Sequence, residues 1–473
     1  MNRRKFIRNT TATSIAVTSM PTILTGNSWR GANDRVRVAQ IGIHGFGQHH
    51  IGQYNALPNA EVAAICDVDA NLFPGVIKKH FTEKGLKNPK TYQDLRKLFE
   101  DKDIDAVSIT IPNHWHTLAA LWAIQSGKHV SVEKPCCHTF FEGQKLVEFA
   151  ENSNLIVQDG AEQRSNPCGQ TMAEYLHTGK MGEVYLAKGI CYKRRDSIGT
   201  YPDGPMQEGE KFAFTVNSKN YEPAYTSKYL SNVDYELWQG PAIEQPFNRN
   251  RFHYNWHWNW LYGNGDMGNQ GVHEMDVARW GLGVSLPTRI ATSGAQVMFE
   301  DMQNTPNVMM ALFEFPNPAG KGDKKKMLQF EVRHWDHNPE GSAAPAGDTA
   351  GGYMTSSTNT VGNLFYGSKG YMAKQVENWQ VFNGTSREPG DSGEGLGNHF
   401  QDFVNAIQAG DQKLAKGDIR EGFYSCALIH LANISYRLGR SLDFDPDAMK
   451  FINDAEADAL LTKEYRGPYQ LPA

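Results

Sequence analysis

Gly42-Ile43-His44-Gly45-Phe46-Gly47 follows directly on the apolar run Val36–Ile41. A strand that ends in G-x-G-x-x-G is the pattern of a dinucleotide turn: one glycine makes the bend, one lets the backbone approach the pyrophosphate, and one lets the next helix pack closely. Gly42 and Gly47 hold the outer positions, His44 holds the middle one, and Gly45, beside Phe46, is placed to take over the close approach. Asp67 closes a second apolar run, 20 residues after Gly47. A carboxylate there accepts hydrogen bonds from ribose hydroxyls and repels a 2′-phosphate, which favours NAD over NADP.

Other side chains suit a polar, ring-shaped ligand. Trp256, Trp258 and Trp260 alternate, so an extended segment would place them on one face, with Asn255, His257 and Asn259 on the other. Flat aromatic faces match the C–H surface of a pyranose, and Asn and His bond its hydroxyls; a packed aromatic core explains the block equally well. Gln163, Arg164, Tyr192, Arg194 and Arg195 are further candidates for a substrate rim. Cys136-Cys137-His138 invites a metal reading, yet no second cluster shows zinc-ligand spacing, so no metal site is expected.

These residues need a scaffold, and composition bounds it. The chain has 473 residues, 40% apolar, 21% charged and 11% aromatic, with a formal net charge of −5. That is enough for two sizeable domains, and it excludes a disordered or collagen-like chain. No uninterrupted apolar run of about 20 residues is present, so no membrane span is expected. The acidic balance argues against a nucleic-acid partner. Six dispersed cysteines form no disulfide framework.

From residue 34 to 160, strand-like runs (36–41, 61–66, 106–111, 129–132) alternate with helical stretches (118–126, 141–152). This is the order of a doubly wound parallel sheet with helices on both faces, an α/β Rossmann architecture. From 161 to 473 the runs at 184–190, 290–296, 308–315 and 327–332, separated by loops rich in Gly, Asn and Pro, imply an α+β domain around a large, mostly antiparallel open sheet. Helices at 400–408 and 421–438 are expected to pack back. Long loops near 196–225 and 335–360 have the length of lids or oligomer contacts. Residues 1–30 carry Arg3, Arg4, Lys5 and Arg8 ahead of a short apolar run, resembling a twin-arginine export signal. Its removal after residue 26 would take four positive charges with it and move the net charge from −5 to −9.

Two further segments carry a family resemblance. Ile111-Pro112-Asn113-His114-Trp115-His116 follows the third strand, and Gly127-Lys128-His129-Val130-Ser131-Val132-Glu133-Lys134-Pro135 follows the next helix. Together with Gly268-Asn269-Gln270-Gly271-Val272-His273-Glu274-Met275-Asp276 and the tail 399–440, they resemble the Gfo/Idh/MocA family, which includes glucose–fructose oxidoreductases and inositol dehydrogenases. The resemblance implies a Rossmann domain, an open sheet that mediates homo-oligomers, and hydride transfer at a ring hydroxyl of a sugar or cyclitol. It assigns Pro112, Asn113, His116 and Glu133 to the cofactor side, and Lys134 to a position beside nicotinamide and substrate. The family's Asp-x-x-x-His pair corresponds to Asn269 and His273. Asn269 cannot act as a base, so His273 becomes the expected proton acceptor, with Asp276 one turn on to orient it.

Export and redox chemistry together imply a cofactor that is carried out bound and regenerated in place, in a periplasmic enzyme of a Gram-negative bacterium. Coupled oxidation and reduction of two sugars satisfies this. So does redox-type glycoside hydrolysis, by C3 oxidation, elimination, hydration and re-reduction. A carbohydrate-binding descendant of the fold without turnover is the alternative of another class.

Overall fold

The computed structural model describes residues 35–208, 230–251, 253–335 and 359–472. The expected export signal and most of the two long loops expected at 196–225 and 335–360 lie outside the described residues.

The first sheet has six parallel strands in the order β3-β2-β1-β4-β5-β6, with β1 Val36–Ile41, β2 Ala60–Cys66, β3 Lys90–Tyr92, β4 Ala106–Ile109, β5 His129–Val132 and β6 Val157–Asp159. Central strands of such a sheet are covered on both faces and read as near-continuous apolar runs. β1 and β4 do so apart from Arg37, Gln40 and Ser108; Gln40, buried on β1, donates through its amide to Gly42 O at 3.1 Å and Thr110 Oγ1 at 2.8 Å. That bond ties the end of β1 to the segment after β4. The short edge strands β3 and β6 were not legible as apolar runs, and β4 stops two residues before the expected end because Thr110 and Ile111 turn into the site.

The second sheet has ten strands in the order β14-β13-β12-β11-β7-β10-β9-β8-β15-β16. Its members are β7 Val184–Lys193, β8 Arg289–Ala295, β9 Val308–Pro316, β10 Lys325–Arg333, β11 Asn359–Gly367, β12 Gly370–Lys374, β13 Asn378–Asn383, β14 Glu388–Glu394, β15 Leu442–Asp445 and β16 Lys450–Phe451. β7 and β10 pair in parallel and the other named pairs are antiparallel. The meander β11–β14 was not anticipated: β14 (Glu-Pro-Gly-Asp-Ser-Gly-Glu) has no apolar alternation and pairs through its backbone.

Helix Ile419–Leu438 lies between helix Phe140–Glu151 of the first unit and strand β8 of the second. It is buried on nearly every side, so its residues show little periodic contrast. Helix His399–Ala409 returns to the first sheet, where Phe403, Val404 and Ile407 join the core of Val36 and Val38. Among the described residues, no helix is long and apolar enough to cross a membrane.

The glycine turn is packed too tightly for side chains. A Cβ on Gly47 would lie 1.9 Å from Gly42 O, and Gly42 itself has φ +81 with a virtual Cβ 2.4 Å from Thr110 O. On the same helix, Gly52 has open space around its virtual Cβ. Gly47→Ala is therefore expected to lower the melting temperature and to abolish dinucleotide binding. Gly52→Ala should bind normally and gain roughly 0.5–1 kcal/mol from reduced chain entropy. Thermal melts and dinucleotide titration of the two variants check the contrast.

Candidate active site

A cavity of about 500 Å³ opens where β1, β2, β4 and β5 end, the usual ligand edge of a doubly wound sheet. Its wall contains Gly42, His44, Gly45, Phe46, Asp67, Pro112, Asn113, His116, Glu133, Lys134, Trp256, His257, Asn269 and His273. Gly47 sits beneath the turn rather than on the wall.

Asp67 is set by the loop it supports. One carboxylate oxygen accepts from Ile43 N at 2.9 Å and the other from Asp69 N at 2.9 Å. Burial outweighs those bonds and raises its pKa to about 7. His44 starts the helix Gly45–Ala56 and stacks on His253, with centroids 5.3 Å apart and planes 6° from parallel; His253 Nε2 lies 3.2 Å from Asp69 Oδ2. Burial, then the neighbouring His253, lowers His44 to about 3, so the residue in the middle glycine's place is a neutral ring.

The cavity fits a dinucleotide on three counts: the glycine cradle excludes any Cβ at Gly42 and Gly47, a carboxylate stands at the end of β2, and Asn113 Oδ1 is buried with no partner among the described residues. Pro112 precedes the helix Asn113–Gln125, and His116 on it contacts Pro135 O at 2.8 Å and Ile111 O at 2.6 Å, holding two loop ends together.

At the other end of the cavity, Lys134 Nζ donates to Asn269 O at 2.6 Å. Glu133 Oε2 accepts from Lys134 N at 3.1 Å, and Oε1 lies 3.3 Å from His50 Nε2. Burial alone would raise Glu133; the His50 hydrogen bond and the nearby charges of His50, Lys134 and His273 bring it down to about 2. His273 stands in the same wall as Lys134, and burial, then Lys134, lowers it to about 3. It is therefore a neutral imidazole at physiological pH.

The side chain of Asn269 faces away from that role. Its amide donates to Asp266 Oδ1 at 2.9 Å. Asp266 is fully buried and also accepts from Arg195 Nε at 2.6 Å and Nη2 at 2.9 Å, with His334 Nε2 2.6 Å away. Burial works against the charge, but Arg195 and His334 hold Asp266 well below the usual carboxylate range. Asp266 and His334 were not among the expected site residues. The spacing of Asp266 to Asn269 is the one legible signal; His334 arrives from β10's end by tertiary folding.

Several expected site residues are committed to other partners or lie outside the main cavity. Asp276 does not orient His273: Arg164 grips it through Nε at 2.9 Å and Nη2 at 2.8 Å, and Ser425 Oγ donates to it at 2.6 Å. That pair also accounts for Arg164. Gln163 accepts from Lys374 Nζ at 3.0 Å and lines, with Lys134, His273 and Asp276, a small pocket behind the main cavity. Tyr192 is buried and donates to Glu331 Oε2 at 2.8 Å, while Arg194 lies over the Trp335 ring at 4.5 Å. The aromatic block is not extended. Asn255–Trp258 form a 3₁₀ turn, so Trp256 and His257 stack on each other at 3.6 Å in the cavity wall, whereas Trp258 turns away beneath Arg195 at 4.7 Å. Cys136 and Cys137 meet Cys426, a partner that chain spacing did not reveal.

Two family descriptions match the chain: "Oxidoreductase family, NAD-binding Rossmann fold" over residues 36–161, and "Oxidoreductase family, C-terminal alpha/beta domain" over 208–319 and 394–471. A glycosyl hydrolase family 109 protein of Shewanella pealeana is 35% identical over 124 residues, 25% of this chain and 27% of the relative. An inositol 2-dehydrogenase of Salmonella paratyphi B is 29% identical over 154 residues, 32% of this chain and 44% of the relative. The chain thus matches less than half the length of these curated relatives. The WlbA dehydrogenase of Bordetella pertussis, solved in complex with NADH and UDP-GlcNAcA, superposes with a TM-score of 0.57 at 16% identity, covering 87% of this chain and 99% of that one, which is a likeness of fold.

Asp67 has a testable sign. Its folded-state value of about 7 lies above about 4 for an unfolded aspartate, so its contribution to stability is present below pH 4 and lost as pH rises through 7. In dinucleotide-free protein, the melting temperature of Asp67→Asn should gain on the wild type by a few degrees between pH 5 and pH 8. A constant difference across that range contradicts the assignment. Asp266→Asn leaves Arg195 buried with a neutral partner and is expected to cost about 3–5 kcal/mol in denaturant melts.

Proposed function

This chain belongs to the Gfo/Idh/MocA oxidoreductase family, and from that membership we propose that it is an NAD-dependent oxidoreductase acting at a ring hydroxyl of a sugar, glycoside or cyclitol. The proposal includes a tightly held cofactor regenerated in the same site, in a protein exported through the twin-arginine signal of residues 1–30 to the periplasm. The observation that carries the chemistry is Lys134, whose Nζ is fixed on Asn269 O at 2.6 Å in the wall it shares with His273.

Gly42, Gly45 and Asp67 would hold the dinucleotide, with Asn113 and Glu133 on the same wall; when bound, it would supply the hydride acceptor for oxidation and the donor for reduction. The chain's own residues manage the proton. Lys134 is positioned to hydrogen-bond the reacting hydroxyl and to stabilise negative charge developing on its oxygen. His273, neutral, has a lone pair for the hydroxyl proton. A base held near 3 takes that proton late, as the carbinol becomes a carbonyl whose oxygen binds a proton far less tightly than imidazole does. Asn269 in place of an aspartate serves through its backbone carbonyl. Trp256 and His257 supply an aromatic wall suited to a sugar ring.

Asp67 at the end of β2 supports NAD rather than NADP. Self-association through the ten-stranded sheet belongs to the same proposal: Met310 is exposed on the face it shares with Glu331 and Ile190. The glycosyl hydrolase family 109 relative favours a second reading, in which oxidation of a glycoside acidifies the adjacent C–H, the aglycone is eliminated, water adds and the ring is re-reduced.

Denaturing the purified protein should release about one NAD per chain, and its absence would sink the bound-cofactor proposal. Lys134→Ala and His273→Ala should each lower turnover by about 100-fold or more while leaving the melting temperature near that of the wild type. In deuterated water, label at C2 of a cleaved glycoside supports the second reading, and cleavage without label excludes it.

A further inference from the structure

Two residues beyond Lys134, the chain places Cys136 and Cys137 in the core, where helix Ile419–Leu438 brings up Cys426 and His430. The three Sγ atoms lie within 4.8 Å of one another. Cys136 Sγ is 3.7 Å from Cys426 Sγ, and Cys137 Sγ is 3.3 Å from His430 Nε2. The three cysteines are fully buried and His430 is 5% exposed. From this convergence we propose that Cys136, Cys137, Cys426 and His430 form a closed structural Zn²⁺ site.

The donor set and its spacing support zinc. Three thiolates and an imidazole make one of the usual tetrahedral zinc sets, and a Zn–S bond of about 2.3 Å with a Zn–N bond of about 2.0 Å places sulfurs about 3.8 Å apart and sulfur to nitrogen about 3.5 Å. The two contacts above match those separations; His430 touches Cys137 but lies outside the 4.8 Å group of the three sulfurs, so its ring has to swing inward to complete the shell. Cys426 and His430 are four residues apart on one helix, so they project from one face towards the same point. Buried thiols are ordinary small core residues when they occur singly. Three thiols and an imidazole that meet from two separate parts of the chain have the composition of a ligand shell.

The imidazole of His430 reaches the cluster through Nε2. Its Nδ1 faces the Asn264 amide at 3.3 Å, and Asn264 Oδ1 is buried without a partner. Turning that amide over would give up a 3.3 Å bond to His138 O and present Oδ1 to Nδ1–H. Nε2 would then be free for the metal, the arrangement in which an outer acceptor fixes the tautomer of a metal-bound histidine. Binding forms three Zn–S bonds and one Zn–N bond, releases three thiol protons to solvent, and leaves the site with one net negative charge. No ligand position is left for substrate. The metal would tie the loop that carries Lys134 to helix Ile419–Leu438, fixing the lysine's backbone from the side opposite the cavity.

The full chain, purified under reducing conditions without chelator after growth with added zinc or added copper, is analysed for metal. About one zinc per chain is expected from both cultures. Occupancy should fall below about one tenth in Cys426→Ser and Cys137→Ser and persist in Cys168→Ser, a cysteine outside the cluster. Should the cluster variants fail to fold, Co²⁺ replacement in the wild-type protein decides: intense tetrahedral visible bands with a sulfur-to-cobalt charge-transfer band support the site. A wild-type protein with no zinc and no such bands overturns it, as do copper in zinc's place, zinc retained in Cys426→Ser, or a disulfide within the cluster.

Discussion

The ammonium of Lys134 has to be held at one point of a cavity wall, and the group that holds it is a peptide carbonyl from the other half of the molecule. The 2.6 Å bond from Lys134 Nζ to Asn269 O joins the end of β5 to the short helix Gly265–Asn269. A hydrogen bond to a charged donor contributes about 1.5–3 kcal/mol, enough to select a rotamer but not to position a helix. The helix is positioned from behind by Asp266, a buried carboxylate that is tolerable only because Arg195, His334 and the Asn269 amide surround it. The order of cause runs from a buried charge that must be neutralised, to a fixed helix, to a carbonyl, to a lysine held in the cavity wall.

The same logic explains why an asparagine is accommodated where the family resemblance leads one to expect an aspartate. At position 269 the side chain is already committed to Asp266 and the backbone to Lys134. Neither bond needs a base there, and in the proposed reaction the proton goes to His273, which burial keeps neutral. The dinucleotide end of the cavity rests on a different constraint. Gly42 and Gly47 approach each other too closely for a Cβ, and His44, in the middle position, is absorbed by stacking on His253 rather than by backbone freedom.

What could be read in the chain follows from how local its cause is. β1, the glycine turn and Asp67 lie within 32 residues, and each was legible because turn and strand chemistry act over a few positions. Asp276 shows the opposite: its spacing from His273 suggested an orienting carboxylate, yet Arg164, distant in the chain, captures it. Trp256, Trp258 and Trp260 suggest an extended segment by alternation, and tertiary packing winds the stretch Asn255–Trp258 into a 3₁₀ turn instead. Strand β14 carries no apolar pattern because only its backbone is used. His334 and Cys426 join their clusters through sheet and helix packing, which no short-range spacing reports.

The central claim is that Lys134 works on a ring hydroxyl against a bound nicotinamide. Rapid mixing of the dinucleotide-loaded protein with single sugars, glycosides and cyclitols, followed by the near-ultraviolet absorbance of reduced nicotinamide, tests it most directly. The account predicts a transient rise approaching one equivalent per chain with at least one such compound in the wild type, and none in Lys134→Ala. An unchanged rise in Lys134→Ala, or no rise with any ring polyol in the wild type, would contradict it.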